Sequence, residues 1–536
     1  AKGKTKPKKI VKLTALAGAV MGSLVASQTA MAASDLTTNN AVNIAPNNVP
    51  NPTAGSEAVA VGPNAGATHQ HSIAIGRNAT ANWTNTISIG KDTVSTKDHA
   101  VAIGTSANAS GIQAVTVGSY ARTDANSSIA LGQEAKVTGE AATAAVALGY
   151  KAEASAANTV AAGKSATATV DNAVALGVSS SATQRNAAAL GAYSNASGER
   201  AAAVGAASKA SGTASFAGGT SANASGANSI AIGGSMEEKE IDDPDNSGKK
   251  KKVVLAANAV GNNAIALGTQ SNAHGDNSIA QGKGAIAGVD NAIAIGTNAS
   301  ATGISIGNEA LTGIADSIAI GHKSKVDRGA EGVAIGNEAT NGEASFAAAV
   351  GATSEANANY SAALGYSAVA DAEFSVALGA ASKAGDDFVE SRSAEVNGVK
   401  YEGFAASTSD FGPGAVVSVG KAGSERQIKN VAAGQVTKVS TDAINGSQLY
   451  SVADALATKI NKQHWNVGNN DGAVVSGVYH EDQVNFVNGN VTTVKVVKAP
   501  SKSSTPDGGP NVTNVSYDVN VGKGLKIENN KIVANF

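Results

Sequence analysis

Ser72-Ile73-Ala74-Ile75-Gly76-Arg77-Asn78-Ala79-Thr80-Ala81 is the stretch whose reading decides the fold. Ile73 and Ile75 stand two residues apart, so in an extended chain they share a face and Ala74 points the other way. Gly76 permits the turn that follows. Ala79 and Ala81 repeat the alternation with a polar residue between them. The pattern predicts two short strands per unit, one with a bulky aliphatic pair and one with a small pair. Large against small would fill a thin interior, so Ile73, Ile75, Ile103 and Ile295 are expected to be buried.

The same unit recurs along most of the chain. Its closing glycine appears 22 times, from Gly62 to Gly379, and 16 of the 21 spacings are 14 residues. The others are 17, 35, 11, 15 and 15. A register held that long predicts a stack of like coils rather than a set of compact domains. One coil buries too little to offset the ordering of its own backbone, so stacking and association with other chains must supply the rest. At about 4.8 Å per stacked strand, the coils predict a rod on the order of 100 Å.

Composition agrees. Aromatics are 4% of the 536 residues and cysteine is absent, which removes disulfide staples and thiolate metal sites from consideration. The start looks like a targeting signal: six lysines from Lys2 to Lys12, an apolar run from Leu13 to about Val25, then Ala30-Met31-Ala32, with cleavage expected between Ala32 and Ala33. Removing residues 1–32 takes away six lysines and no acids, so the net charge moves from −2 to −2 − 6 = −8. An acidic, aromatic-poor surface argues against nucleic acid as a partner.

The repeat breaks in two places. Between Gly233 and Gly268, residues 234–263 carry an acidic run from Glu237 to Asp245 and a basic run from Lys249 to Lys252. Two readings stand: a solvated loop that pairs its own halves, or a loop that docks a partner. After Gly379 the period is lost, and Phe388, Tyr401, Phe404 and Phe411 are expected to form a cap over the last coil. Further on, Thr441 or Asp442 is expected to cap a short helix over about 442–463, carrying Leu449, Val452, Leu456 and Ile460 at near-heptad spacing. From Trp465 to Phe536 alternating runs predict a small β-rich module.

Together these residues resemble the trimeric autotransporter adhesins with YadA-like heads. The S-I-A-I-G repeat resembles their head, T-D-A-I-N-G-S-Q-L resembles their neck, with Asp442, Ala443, Asn445, Gln448 and Leu449 at the matching places, and W-N-V-G resembles the start of a Trp-ring stalk module at Trp465. The resemblance implies a mainly β fold: a left-handed parallel β-roll solenoid, trimeric, followed by a neck, a short coiled coil and a small β-rich module. It divides the chain into a signal peptide (1–32), a leader (33–56), the head (57–384, with its insert loop 234–263), a head cap (385–423), the neck (424–450), a coiled-coil helix (451–464) and the stalk module (465–536). The opening lysine-rich run looks like the tail of an extended signal region. The strands of an outer-membrane anchor are not seen before Phe536, so the sequence is expected to be a fragment of a longer surface protein.

Several motifs mislead. Gly303-Ile304-Ser305-Ile306-Gly307 matches the nucleophile-elbow pattern, but Ser305 sits where Ala74 sits in its own repeat. Gly163-Lys164-Ser165 lacks the earlier glycine of a phosphate loop. His69 and His71 have no further acidic or histidine ligand at useful spacing and are expected to be surface residues. No catalytic, cofactor or metal residue is expected, and the chain is not expected to be an enzyme. The implied function is multivalent attachment of a Gram-negative bacterium to host extracellular matrix (collagen-like protein, fibronectin or laminin) or host cells, in virulence. The alternative is a structural surface-layer or spacer protein without a host ligand.

Overall fold

The computed structural model describes residues 41–44, 53–235, 237–242, 250–385, 388–405, 416–468, 471, 473–479, 482–489, 492–498, 513–519 and 521–535. The lysine-rich start, the Ala32–Ala33 junction and Phe411 lie outside them. Within one coil, a first strand of three residues such as Ile73–Ile75 turns through Gly76 into a second strand of two, Thr80–Ala81, and a further turn leads to the next coil. The first strands stack in parallel into a sheet of 24. Like falls on like: Ile73 lies over Ile87, Ala74 over Ser88 and Ile75 over Ile89. The second strands form their own parallel stack, as in Thr80 over Val94. The first rung is Val42–Ile44, paired with Val59–Val61, so the stack begins inside the stretch expected to be a leader.

The interior corrects the expected sidedness. Ala74, Ala79 and Ala81 are fully buried, whereas Ile75 and Ile103 are 37% and 36% exposed. Ile73 and Ile295 are only half-buried. Three-residue and two-residue strands joined by tight turns enclose room for methyl groups, and the branched side chains take the outer face of the first sheet. Alanine files therefore run through the coil centre, and Val137 and Val326 are among the largest fully buried side chains.

At three first strands the inward residue is a hydroxyl, and the residue seven positions on is a hydroxyl too. Ser88 Oγ donates to Ser95 Oγ at 3.3 Å, Thr116 Oγ1 to Thr123 Oγ1 at 2.8 Å, and Ser305 Oγ lies 3.0 Å from Thr312 Oγ1. Each pair is buried, and its hydroxyls also bond the backbone, as Ser88 Oγ does to Thr80 O at 2.7 Å and Ser95 Oγ to Ile87 O at 2.8 Å, so the polar groups are satisfied inside the coil. Ser305 is thus a core hydroxyl. Ser88→Ala alone is expected to cost about 1 kcal/mol, and Ser88→Ala with Ser95→Ala, which recreates the common alanine pair, less than the sum of the two singles. Additive thermal denaturation data for the two sites would refute this pairing.

The charged insert is a hairpin. Glu238–Asp242 runs antiparallel to Lys250–Val254, with Glu240 opposite Lys252 and Asp242 opposite Lys250. Of the aromatics expected to form a cap, Phe388 is half-buried, and Tyr401 and Phe404, which belong to a second unit of the chain, are exposed. Val417–Ser418 instead adds a last rung on Val376–Ala377, and Lys383 N–H donates to Gly420 O at 2.8 Å. The Arg426 guanidinium caps the open carbonyls, donating to Val419 O at 2.6 Å, to Ser382 Oγ at 2.8 Å and to Ala380 O.

Residues 391–407 and 427–536 form a second unit. It holds a hairpin, Ser393–Val396 with Val399–Glu402, turned by Asn397-Gly398, both in the left-handed region. Its helix spans Gly446–Lys462, and three antiparallel pairs follow: His464–Gly468 with Val474–Tyr479, Thr492–Lys498 with Thr513–Val519, and Leu525–Glu528 with Lys531–Ala534.

Candidate functional site

The surface of the described coils is organised as ladders. In a full-length coil each of the two turns places one residue that carries a side chain in the left-handed region, φ +54° at Asn78 and +57° at Asn85. Asparagine tolerates that conformation best among residues with a side chain. Stacked asparagines then bond along the file. Asn64 Nδ2 donates to Asn78 Oδ1 at 3.1 Å, and Asn78 Nδ2 to Asp92 Oδ1 at 2.8 Å. The Asn78 amide holds the Asp92 carboxyl below the usual carboxylate range. A longer file runs Asn228, Asn263, Asn277, Asn291.

Two places replace this polar ladder with rings. Phe346, Tyr360 and Phe374 occupy successive left-handed positions, and their rings stack at 5.2 and 4.9 Å, nearly parallel at 4° and 3°. Bulky residues avoid that backbone region, so three in a row mark a site held against local preference. Nearer the start, the His69 ring stacks on Trp83 at 5.8 Å and Lys97 Nζ lies 5.6 Å from the Trp83 ring. The sequence reading passed over both clusters. Their signal was available: the residues stand 14 apart, the coil spacing.

His71 corrects a further expectation. It pairs with Glu57, one coil earlier, so an acidic partner does fall within reach. Gln70 first and then His71 hold the Glu57 carboxyl below its ordinary range. Among the described residues no group of three or more histidine, aspartate, glutamate or cysteine side chains is arranged to hold a metal ion.

Two hollows lie where the period breaks. One of about 380 Å³, beside the base of the charged hairpin, is lined by residues that include Asn223, Leu255, Asn258 and Gln270. The other, of about 320 Å³, lies at the coil that is only 11 residues long, between Asp290 and Asp316.

The expected neck residues come together around the helix start. The N-cap is Asn445, not Thr441 or Asp442, because only its side chain reaches the first free N–H groups: Gln448 N–H donates to Asn445 Oδ1 at 3.2 Å. Gln448 closes the box by accepting from Asn445 N–H at 3.2 Å, and its Nε2 donates to Gly434 O at 2.6 Å. Asp442 accepts from Gln435 N–H at 2.9 Å, and Asn445 Nδ2 donates to Val431 O at 3.1 Å. The segment 431–435 is thereby tied to the helix cap. Ala443 carbonyl lies where a side chain on Gly434 would have to go, 2.5 Å from its Cβ position. Leu449, Val452, Leu456 and Ile460 are all exposed, and Trp465 is exposed on the strand His464–Gly468.

Coils of this kind, followed by this capped helix, are matched by known families. The description "YadA head domain repeat (2 copies)" matches in successive segments from 54–79 to 356–382, and "Coiled stalk of trimeric autotransporter adhesin" matches 427–472. The chain belongs to the YadA-like trimeric autotransporter adhesins. Autotransporter adhesin BtaE of Brucella suis biovar 1 (strain 1330) is 42% identical over 67 residues, 12% of this chain and 8% of that protein. Among solved structures, the collagen-binding domain of the Yersinia adhesin YadA is 25% identical, covering 40% of this chain and 96% of that one at a TM-score of 0.26. The C-terminal YadA-like domain of a Burkholderia pseudomallei protein is 33% identical, covering 22% and 48%, at 0.17. The YadA-like chain thus spans a small part of the curated relative.

Proposed function

We propose that this chain forms the head and neck of a homotrimeric adhesin on the surface of a Gram-negative bacterium, binding host extracellular matrix or host cells through many weak contacts. The observation that carries the trimer is the outer face of the first sheet. Ile75, Ile103, Leu131, Leu176, Val204 and Ile232 all stand exposed along it in the single chain. A continuous apolar face of that length is a surface for partner chains. The exposed stripe of the neck helix asks for the same neighbours, since a helix this short needs packing to persist. In this reading Asp442, Ala443, Asn445, Gln448 and Leu449 make the neck, Trp465 opens a stalk module, and residues 1–32 are removed at Ala32–Ala33.

Family membership supports adhesion, and the ladders support its mode. The turn files offer amides, hydroxyls and scattered rings, repeated coil after coil, with few clustered charges. Linked weak sites gain on the order of 10²–10⁴ in avidity without a strong single contact. The assembled chain would be titrated onto immobilised collagen, the ligand named for the Yersinia domain, and onto fibronectin, laminin and epithelial cells. Binding is expected to fall gradually as blocks such as residues 90–132 are deleted and to respond mildly to salt. Binding to none of these surfaces would make the chain a spacer.

A further inference from the structure

The coil between Gly296 and Gly307 is three residues shorter than its neighbours. Its second strand, Ser300–Ala301, passes through Thr302 and Gly303 alone into the next first strand, Ile304–Ile306. The whole outer turn is missing, and the hollow of about 320 Å³ stands in its place. Its lower lip is Asp290-Asn291, its upper lip Ala315-Asp316, and its floor Thr302-Gly303. Val289, whose equivalent Gly275 is buried, is 40% exposed beside it.

The hydrogen-bond files that run along this corner stop at the hollow. Ala227 N–H donates to Asn262 Oδ1 at 3.0 Å, Asn262 N–H to Asp276 Oδ1 at 2.7 Å, and Asp276 N–H to Asp290 Oδ1 at 2.8 Å. Among the described residues none takes the next place above Asp290. The backbone file ends there too. Asn277 N–H donates to Asn262 O at 2.8 Å and Asn291 N–H to Asp276 O at 2.9 Å, and no backbone N–H among the described residues donates to Asp290 O. Across the hollow, Asp316 N–H has the position that in other coils donates to the turn below, and among the described residues it meets no backbone carbonyl. The gap therefore offers a free donor and a free acceptor on Asp290 and a free donor on Asp316, one on each side of the shortened coil.

We propose that this notch is a discrete binding site for an exposed turn of a partner polypeptide, about three residues long and neutral or basic. Such a turn restores what the missing one would have supplied: a side-chain oxygen for Asp290 N–H, an amide N–H for Asp290 O and a carbonyl for Asp316 N–H. The two aspartate carboxylates at the lips select against acidic guests and favour a flanking lysine or arginine. Ala315 and Ile304, which line the hollow, receive the apolar part of the guest. The site is separate from the distributed surface proposed above, and it stands or falls without it.

The test uses the full chain and a fluorescent backbone-cyclised peptide that displays Gly-Asn-Asn flanked by lysine. A glutamate-flanked counterpart and N-acetylglucosamine oligomers, which also carry a secondary amide, serve as comparators. Inserting Gly-Asn-Asn between Thr302 and Gly303 restores the 14-residue spacing and fills the notch from within. The lysine peptide is expected to bind with saturation, and the insertion variant to bind at least about tenfold more weakly while melting no earlier. Asp316→Asn should weaken the lysine peptide and narrow its advantage over the glutamate peptide. No peptide binding, equal binding by the insertion variant, equal binding of the two peptides, or binding of the sugar oligomers alone would each overturn the proposal.

Discussion

Gly163→Ala is expected to unstack the coils around it, at a cost on the order of 3 kcal/mol per chain or more. Gly163 has φ +141°, and a Cβ there would stand 2.2 Å from the carbonyl oxygen of Gly177 in the next coil. The obstacle is backbone, so no side-chain rotation relieves it. The neighbouring coils must separate, which strains the rungs Val160 over Val174 and Thr167 over Ser181 on either side of the turn. Gly66→Ala is the matched comparison. Gly66 lies outside the left-handed region, and its Cβ would find its nearest atom at 3.7 Å. That substitution is expected to be neutral or to stabilise by about 0.4–1 kcal/mol through the unfolded state. Thermal denaturation of the two variants against the parent chain decides the matter. Equal melting temperatures would mean that the coils are not stacked at the glycine file.

The second large effect concerns assembly. Replacing Ile103, Leu131 and Leu176 together with aspartate should leave each coil intact and abolish association. All three are exposed on the outer face of the first sheet, so the charges do not enter the alanine interior. In a trimer they would be buried and unpaired, and burial of the part of each aliphatic side chain still exposed, about 0.5–1 kcal/mol, would be lost in all three copies. Light scattering is expected to show trimer for the parent chain and monomer for the variant, with β-rich circular dichroism preserved in both. A variant that stays trimeric would place these residues outside the interface. A parent chain that is itself a stable monomer would remove the trimer.

The same face explains where reading the sequence succeeded and where it went wrong. Alternation shows that Ile73 and Ile75 lie opposite Ala74, but it does not say which side is inside. The usual preference for large apolar residues in the core points to the isoleucines. The structure puts Ala74, Ala79 and Ala81 inside because coils this narrow admit little more than methyl groups. Large apolar residues on an outer face are what an assembling chain requires, so the misassigned side is also the observation that speaks for partners.

The period of 14 and the glycine that closes each first strand were determined by sequence, because each is a local property repeated many times, and the change of pattern marked the helix that follows the stack. The buried hydroxyl pairs, such as Ser88 with Ser95, were legible in the same way, as polar residues seven apart. The helix cap was not. Thr441, Asp442 and Asn445 are all competent caps, and Asn445 takes the place because Gln448 and the segment 431–435 close around it. The ring stack of Phe346, Tyr360 and Phe374 and the open notch between Asp290 and Asp316 were likewise decided only in three dimensions. Both depend on what lies one coil above and below, a neighbour relation that spacing suggests and only stacking enforces.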